Sequence, residues 1–261
     1  MTKQEILSAT DAFLFDLDGT LYLGDVPVEG AASTLEKLRG MDKKLVFLTN
    51  NSSKTEREYR EKLARLGLFG KGDTVYTSGL ATVEFLRTNY PKSRVYLLGT
   101  EALKEEFSMA GVHLTEGNPD VCILAYDTEL TYEKLKKFDG YLRRGAVYLA
   151  THPDDVCPTS ELPVPDAGAF IALFERSSGR RPDRIIGKPY RDLADGVSKV
   201  TGVERSKLCM VGDRMYTDIR FANNNGMMSI LVLSGETTRE TMRNFPDKPD
   251  LVLENINGLL K

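Results

Sequence analysis

Short apolar runs recur along the chain at Ala12–Leu17, Leu45–Leu48, Arg94–Leu98, Val121–Ala125, Ala146–Ala150, Arg184–Ile186, Leu208–Val211, Ser229–Leu233 and Asp250–Leu253. Such runs are short, and most end in turn residues, so they predict buried strands. Between most of them lie amphipathic stretches, such as Thr55–Leu66, Glu101–Ala110, Tyr132–Arg144 and Asp192–Thr201. These predict helices, and Thr55-x-x-Glu58 reads as a capping box at the start of one. The alternation of strand and helix predicts an α/β protein with parallel sheets and helices on both faces. Tyr22–Pro27 predicts a small hairpin.

The stretch from about residue 80 to 179 carries its own strands and helices. Polar segments bracket it, Thr77-Ser78-Gly79 on one side and Ser177-Ser178-Gly179-Arg180-Arg181-Pro182 on the other. Both have the composition of linkers. About 100 residues suffice for a separate core. The expected organisation is a core of residues 1–79 and 180–261 with an insert at 80–179.

Composition narrows the function. The 261 residues carry 35 Lys and Arg against 38 Asp and Glu, a net charge of −3. No sequence-wide basic field favours nucleic acid. No apolar run approaches the ~20 residues of a membrane-spanning helix. Met1–Thr10 is polar and lacks the apolar segment of a signal peptide, so a cytoplasmic location is expected. Cys122, Cys157 and Cys209 have no metal-binding spacing. Cys122 and Cys209 lie in apolar runs and are expected to be buried hydrophobes.

The first apolar run leads into Phe15-Asp16-Leu17-Asp18-Gly19-Thr20-Leu21. An i, i+2 spacing on extended chain aims both carboxylates to one side. In an open α/β sheet, ligands bind at the carboxyl ends of strands. Leu48-Thr49-Asn50-Asn51-Ser52-Ser53 follows the second run. There hydroxyls, amides and helix N–H groups could converge on an anion. Ile185-Ile186-Gly187-Lys188-Pro189 offers a lysine at a strand end, able to balance carboxylates and a phosphate. Met210-Val211-Gly212-Asp213-Arg214-Met215-Tyr216-Thr217-Asp218 ends another run in two acids. Ligand sets made only of oxygen select hard cations, above all Mg²⁺. Taken singly, these segments also suit a turn, a helix cap or a surface lysine. Together they are expected at the ends of four strands of one sheet.

In this order, two acids, a hydroxyl, a lysine and two acids, the segments resemble the four signature motifs of the haloacid dehalogenase (HAD) superfamily. The chain further resembles its NagD-like and p-nitrophenylphosphatase-like subfamily. The residues that carry this are Leu48-Thr49-Asn50-Asn51-Ser52, Ala150-Thr151 with Pro153-Asp154, Gly187-Lys188-Pro189, and Gly212-Asp213-Arg214 with Thr217-Asp218. His152 stands where the relatives usually have Asn, and Asp166 follows Pro165 where they often have Gly. The resemblance implies a Rossmann-like parallel-sheet core with an inserted α/β cap domain of type C2. The segment between Thr20 and Lys44 is too short for the other common cap position.

The resemblance also implies a Mg²⁺-dependent phosphatase acting on small phosphorylated metabolites through an aspartyl-phosphate. Asp16 would be the nucleophile and Asp18 the general acid/base. Thr49 and Lys188 would contact the phosphoryl group, with N–H donors at Asn50 and Asn51. Asp16, Asp213 and the Asp18 carbonyl would hold the metal, with Asp218 orienting waters or Lys188. His152, Cys157 and Asp166, in or beside the loop 151–163, are candidate substrate contacts, although a solvated loop histidine is the plainer reading of His152. A homodimer is compatible with the resemblance. A phosphomutase of the same superfamily would keep all four motifs. A receiver-like phospho-acceptor shares an acid cluster, Thr, Lys and Mg²⁺, but its acids are adjacent and its phosphorylated Asp lies on a later strand.

Overall fold

The computed structural model describes residues 1–159 and 162–260, so part of the loop 151–163 lies outside the described residues. The chain divides into two compact units. The first comprises Met1–Thr49, Arg57–Tyr76 and Lys188–Lys261, and the second Asn50–Glu56 and Thr77–Gly187.

The first unit is built on a six-stranded sheet among the described residues. Its order is Leu251–Leu253, Met228–Val232, Leu208–Gly212, Ala12–Phe15, Lys44–Thr49, Thr74–Thr77. Ala12–Phe15 is central and runs parallel to both Leu208–Gly212 and Lys44–Thr49. All four of its residues are buried, as expected of a strand covered on both faces. Phe13 and Phe15 pack with Leu45, Phe47, Cys209 and Val211 in one apolar cluster. Strand order reverses around Ala12–Phe15, so its carboxyl end is a topological switch point, the place where open α/β sheets bind ligands. Tyr22–Leu23 and Val26–Pro27 pair as the expected hairpin.

The second unit has a five-stranded sheet in the order Arg184–Ile185, Val147–Ala150, Val121–Leu124, Arg94–Leu98, His113–Leu114. Alternate residues of its strands enter two separate cores. Tyr96, Leu98 and Cys122 join Phe138 and Phe174, while Val95, Leu97 and Ile123 join Leu103 and Phe107. Helices therefore cover both faces, which is the α/β layering that the sequence predicts.

Three expectations need correction. Residues 77–79 and 177–179 are helix ends rather than loose linkers. Thr77 caps the helix Ser78–Asn89 by accepting from the Leu80 N–H at 3.1 Å. Gly179 ends the helix Ala167–Ser178 in a left-handed conformation, φ 74°. Thr, Ser and Gly serve caps as well as linkers, so composition could not separate the two. Residues 50–56 and 180–187, expected with the core, cluster instead with the second unit. Finally, the strand before Lys188, Arg184–Ile185, pairs with Val147–Ala150 in the second sheet. Three of the four motifs, not four, follow strands of one sheet. An apolar run of three residues reveals a strand but not its partner. The strand Thr74–Thr77 carries no clear apolar run, because only Val75 and Tyr76 stand between its threonines and the chain runs directly into the helix Ser78–Asn89.

Candidate active site

Asp16 is the first residue beyond Ala12–Phe15, and its backbone N–H still donates to Val211 O at 2.9 Å. Leu17 is buried, whereas Asp16 and Asp18 on either side are partly exposed, which is the alternation that the extended spacing predicts. Gly19 then turns the chain with φ 84°. A Cβ at Gly19 would lie 2.5 Å from Asp213 Oδ2, and one at Gly235 would lie 2.1 Å from it. A Cβ at Gly212 would lie 2.4 Å from the Asp218 carboxylate. Three glycines thus let the backbone close around two acids.

Asp213 is buried and doubly held. Thr20 Oγ1 donates to its Oδ1 at 3.3 Å and the Glu236 N–H to its Oδ2 at 2.7 Å. Asp218 lies in a π-helical turn, Met215–Ile219, and is fully buried. Its Oδ2 accepts from the Arg214 N–H at 3.1 Å. Lys188, 2% exposed, donates to Asp16 Oδ1 at 2.5 Å and to Asp218 Oδ1 at 2.7 Å. A surface lysine, the plain reading of that residue, is excluded. Thr49 is buried at the end of Lys44–Thr49.

Asp16, Asp213 and Asp218 each offer an oxygen, and these oxygens all lie within 4.8 Å of one another. Two of these carboxylates, Asp16 and Asp218, hold the Lys188 ammonium, and Asp213 lies beside them. Burial pushes the Asp16 carboxyl up, and like charge on Asp218 and Asp213 adds to this while Lys188 opposes it. Burial, then Asp218, raises Asp213 to about 6. For Lys188, burial favours deprotonation, but Asp16 and Asp218 outweigh it and hold the ammonium above its usual range. The raised Asp16 and Asp213 carboxyls reflect crowding of acids in a buried place, which a bound cation would relieve. An all-oxygen donor set inside a glycine-lined cradle fits a hard divalent ion.

The candidate residues of the second unit stand differently from expectation. His152 is fully buried rather than solvated. Its Nδ1 pairs with Thr151 Oγ1 at 2.9 Å and its Nε2 with Asp166 Oδ1 at 2.9 Å. Asp166 caps the helix Ala167–Ser178, accepting from the Ala167 N–H at 2.6 Å. Both side chains are engaged at the helix start. Cys157 is partly exposed on Val156–Cys157, and the Asn51 side-chain amide lies 3.6 Å from its sulfur. The Asn50 amide donates to both oxygens of Asp154 at 3.2 Å. The sequence reading gave Asp154 no role, although it stands in the quoted motif. It also missed Thr20 and the Glu236 N–H as holders of Asp213.

Comparison with known proteins now decides the family. A haloacid dehalogenase-like hydrolase model matches residues 13–113, and a second model of that kind matches 185–259. The chain belongs to the haloacid dehalogenase-like hydrolases. The solved structure of a 4-nitrophenylphosphatase from Thermotoga maritima is 44% identical, with a TM-score of 0.94 and 97% of each chain covered. An acid sugar phosphatase of Staphylococcus epidermidis is 33% identical over 94% of this chain and 95% of its own. A glycerol phosphate phosphatase of Mycobacterium tuberculosis, solved in complex with calcium, is 29% identical with a TM-score of 0.89, covering 97% of this chain and 76% of that one. This HAD-like hydrolase falls in the NagD and p-nitrophenylphosphatase group and is a phosphatase-type enzyme. Among its described residues, no helix is long and apolar enough to cross a membrane.

Proposed function

We propose that this protein is a Mg²⁺-dependent phosphatase that hydrolyses small phosphorylated metabolites through an aspartyl-phosphate. The observation that carries the reading is the Lys188 ammonium bridging Asp16 and Asp218 beside Asp213, at a strand-end switch point. The chemistry follows from the charges. A phosphate monoester is very slow to hydrolyse unaided, and a carboxylate nucleophile splits one hard step into two. Asp16 attacks phosphorus and displaces the alcohol, whose departing oxygen takes a proton from Asp18. Asp18 then removes a proton from the water that attacks the aspartyl-phosphate, releasing inorganic phosphate and restoring Asp16.

An anionic nucleophile approaching an anionic ester needs positive charge that is already in place. Lys188, ordered by two carboxylates, supplies it, and Thr49 offers a hydroxyl to the transferring group. The N–H groups of Asn50 and Asn51, next in the chain after Thr49, would donate to phosphoryl oxygens. Asp16, Asp213 and the Asp18 backbone carbonyl would hold Mg²⁺. When bound, the ion supplies charge neutralisation at the phosphoryl oxygens. Asp218 acts through Lys188.

The related proteins are named as a 4-nitrophenylphosphatase, an acid sugar phosphatase and a glycerol phosphate phosphatase, and that diversity supports a shared reaction with substrate choice made outside the acid cluster. The test is phosphate release from p-nitrophenyl phosphate and a panel of phosphorylated metabolites. Activity should vanish on chelation and return with Mg²⁺. Full turnover in excess EDTA would sink the metal assignment. Transfer of phosphate within the substrate, without release, would point to a mutase.

A further inference from the structure

The loop 50–53 is bound side chain by side chain to the segment 151–157 of its own unit. The Asn50 amide nitrogen faces Asp154, 3.2 Å from each carboxylate oxygen. A carboxylate only accepts, so this contact fixes which end of the amide points where. The other end, Oδ1, abuts Gly187, where a Cβ would lie 2.6 Å from it. Asn51 turns its oxygen back to the Ser53 N–H at 2.9 Å and its nitrogen toward Cys157. Ser52 Oγ accepts from the Tyr126 N–H at 2.9 Å and pairs with Thr151 Oγ1 at 3.0 Å. Asn50, Ser52, Thr151 and Asp154 are all buried. A hydrogen bond to a buried carboxylate is among the stronger kinds, and removing the acid takes both of these acceptor oxygens from the Asn50 amide.

We infer that Asp154 is a positioning residue for the phosphate-binding loop, holding Asn50 so that the backbone of residues 50–53 keeps the geometry that receives a phosphoryl group. The inference rests on reading that loop as the phosphate donor set. It assigns Asn50 a different part from direct contact, since its side-chain amide serves as an anchor and the loop backbone as the donor. The phosphoryl group is common to every substrate, so loosening the anchor weakens all substrates alike. A residue that selects the leaving group would instead affect large substrates and spare small ones.

The test is a double-mutant cycle on Asn50→Ala and Asp154→Ala, read as kcat/KM for acetyl phosphate, for a sugar phosphate and for p-nitrophenyl phosphate, and as the inhibition constant of inorganic phosphate. Asp154→Ala should lower kcat/KM about tenfold for every substrate and raise the inhibition constant by a similar factor. The double variant should be no worse than the poorer single one, because Asp154 acts through Asn50. Asp154→Asn, which keeps one acceptor oxygen, should recover part of the loss, and it replaces Asp154→Ala in the cycle if that variant fails to fold. Unchanged phosphate inhibition, a loss confined to the larger substrates, or effects that multiply in the double variant would each overturn the inference. A wild-type protein that releases no phosphate from any ester would instead overturn the phosphatase reading itself.

Discussion

Two groups of acids in this molecule look alike by distance and differ in chemistry. In the first unit, Asp16, Asp213 and Asp218 bring their oxygens within 4.8 Å of one another, and in the second unit His152, Asp154 and Asp166 do the same with their ligand atoms. In the first group Asp16 and Asp218 hold the Lys188 ammonium, Asp16 is 15% exposed, and the Asp16 and Asp213 carboxyls are pushed up by burial and by like charge nearby. The acids of the second group accept from hydrogen-bond donors of the surrounding fold: the Asn50 amide, the Ala167 N–H and the His152 ring. Convergence of carboxylates therefore does not by itself define a reactive centre. What separates the two groups is the donor: a lysine ammonium bridges two acids of the first, whereas the acids of the second accept from amide N–H groups and the His152 ring.

The largest contrast should appear on removing the Asp16 carboxylate, the proposed nucleophile. Asp16→Asn should abolish turnover and acid-quench trapping of a phospho-enzyme. Asp18→Asn should lower kcat by ~10²–10⁴-fold, the usual loss when general acid/base help is removed. Near-normal turnover by Asp16→Asn would erase the distinction between the groups.

Next comes the ammonium. Lys188→Met would leave Asp16 and Asp218 facing each other without a cation, and breaking a buried pair this way costs about 3–5 kcal/mol. Urea unfolding of the metal-free protein measures this. A loss under about 1 kcal/mol would mean that Lys188 is paired no more tightly than a surface ion.

The pH dependence sharpens the comparison further. Asp213 titrates near 6 when folded, above its unfolded value of about 3.9. Folding thus favours its protonated form. That contribution is complete below about pH 4 and lost as pH rises through about 6. Without metal, the wild-type protein should lose up to about 3 kcal/mol relative to Asp213→Asn between pH 4 and 7. Mg²⁺ should reverse the loss at pH 7 by taking the place of the proton. Parallel stability curves for the two proteins would contradict the crowding of acids assigned to this group.

The smallest effect belongs to the second group. Asp166→Ala removes a helix N-cap and should cost ~0.5–2 kcal/mol of stability. Thermal unfolding of wild type and variant gives the cost. Its kcat for acetyl phosphate should stay within about twofold of wild type. A kcat loss on the scale of Asp18→Asn would make Asp166 part of the chemistry.

The sequence by itself determined the strand–helix alternation, the pairing of Asp16 with Asp18, and the ordered motifs that place the chain in its family. These are local properties. An apolar run reports burial, an i, i+2 spacing reports direction on an extended chain, and motif order survives without coordinates. Tertiary structure alone decided the rest. Taken alone Lys188 suits a surface residue, the motif order makes it a phosphoryl contact, and only the fold shows it buried between acids 172 and 30 positions away in sequence. His152 reads as a solvated loop residue, and only the Thr151 and Asp166 contacts make it a buried link. Thr77-Ser78-Gly79 reads as a linker until the helix that it caps is seen. Charge balance and hydrogen-bond satisfaction depend on partners distant along the chain, and no local pattern records which partner a buried polar group will find.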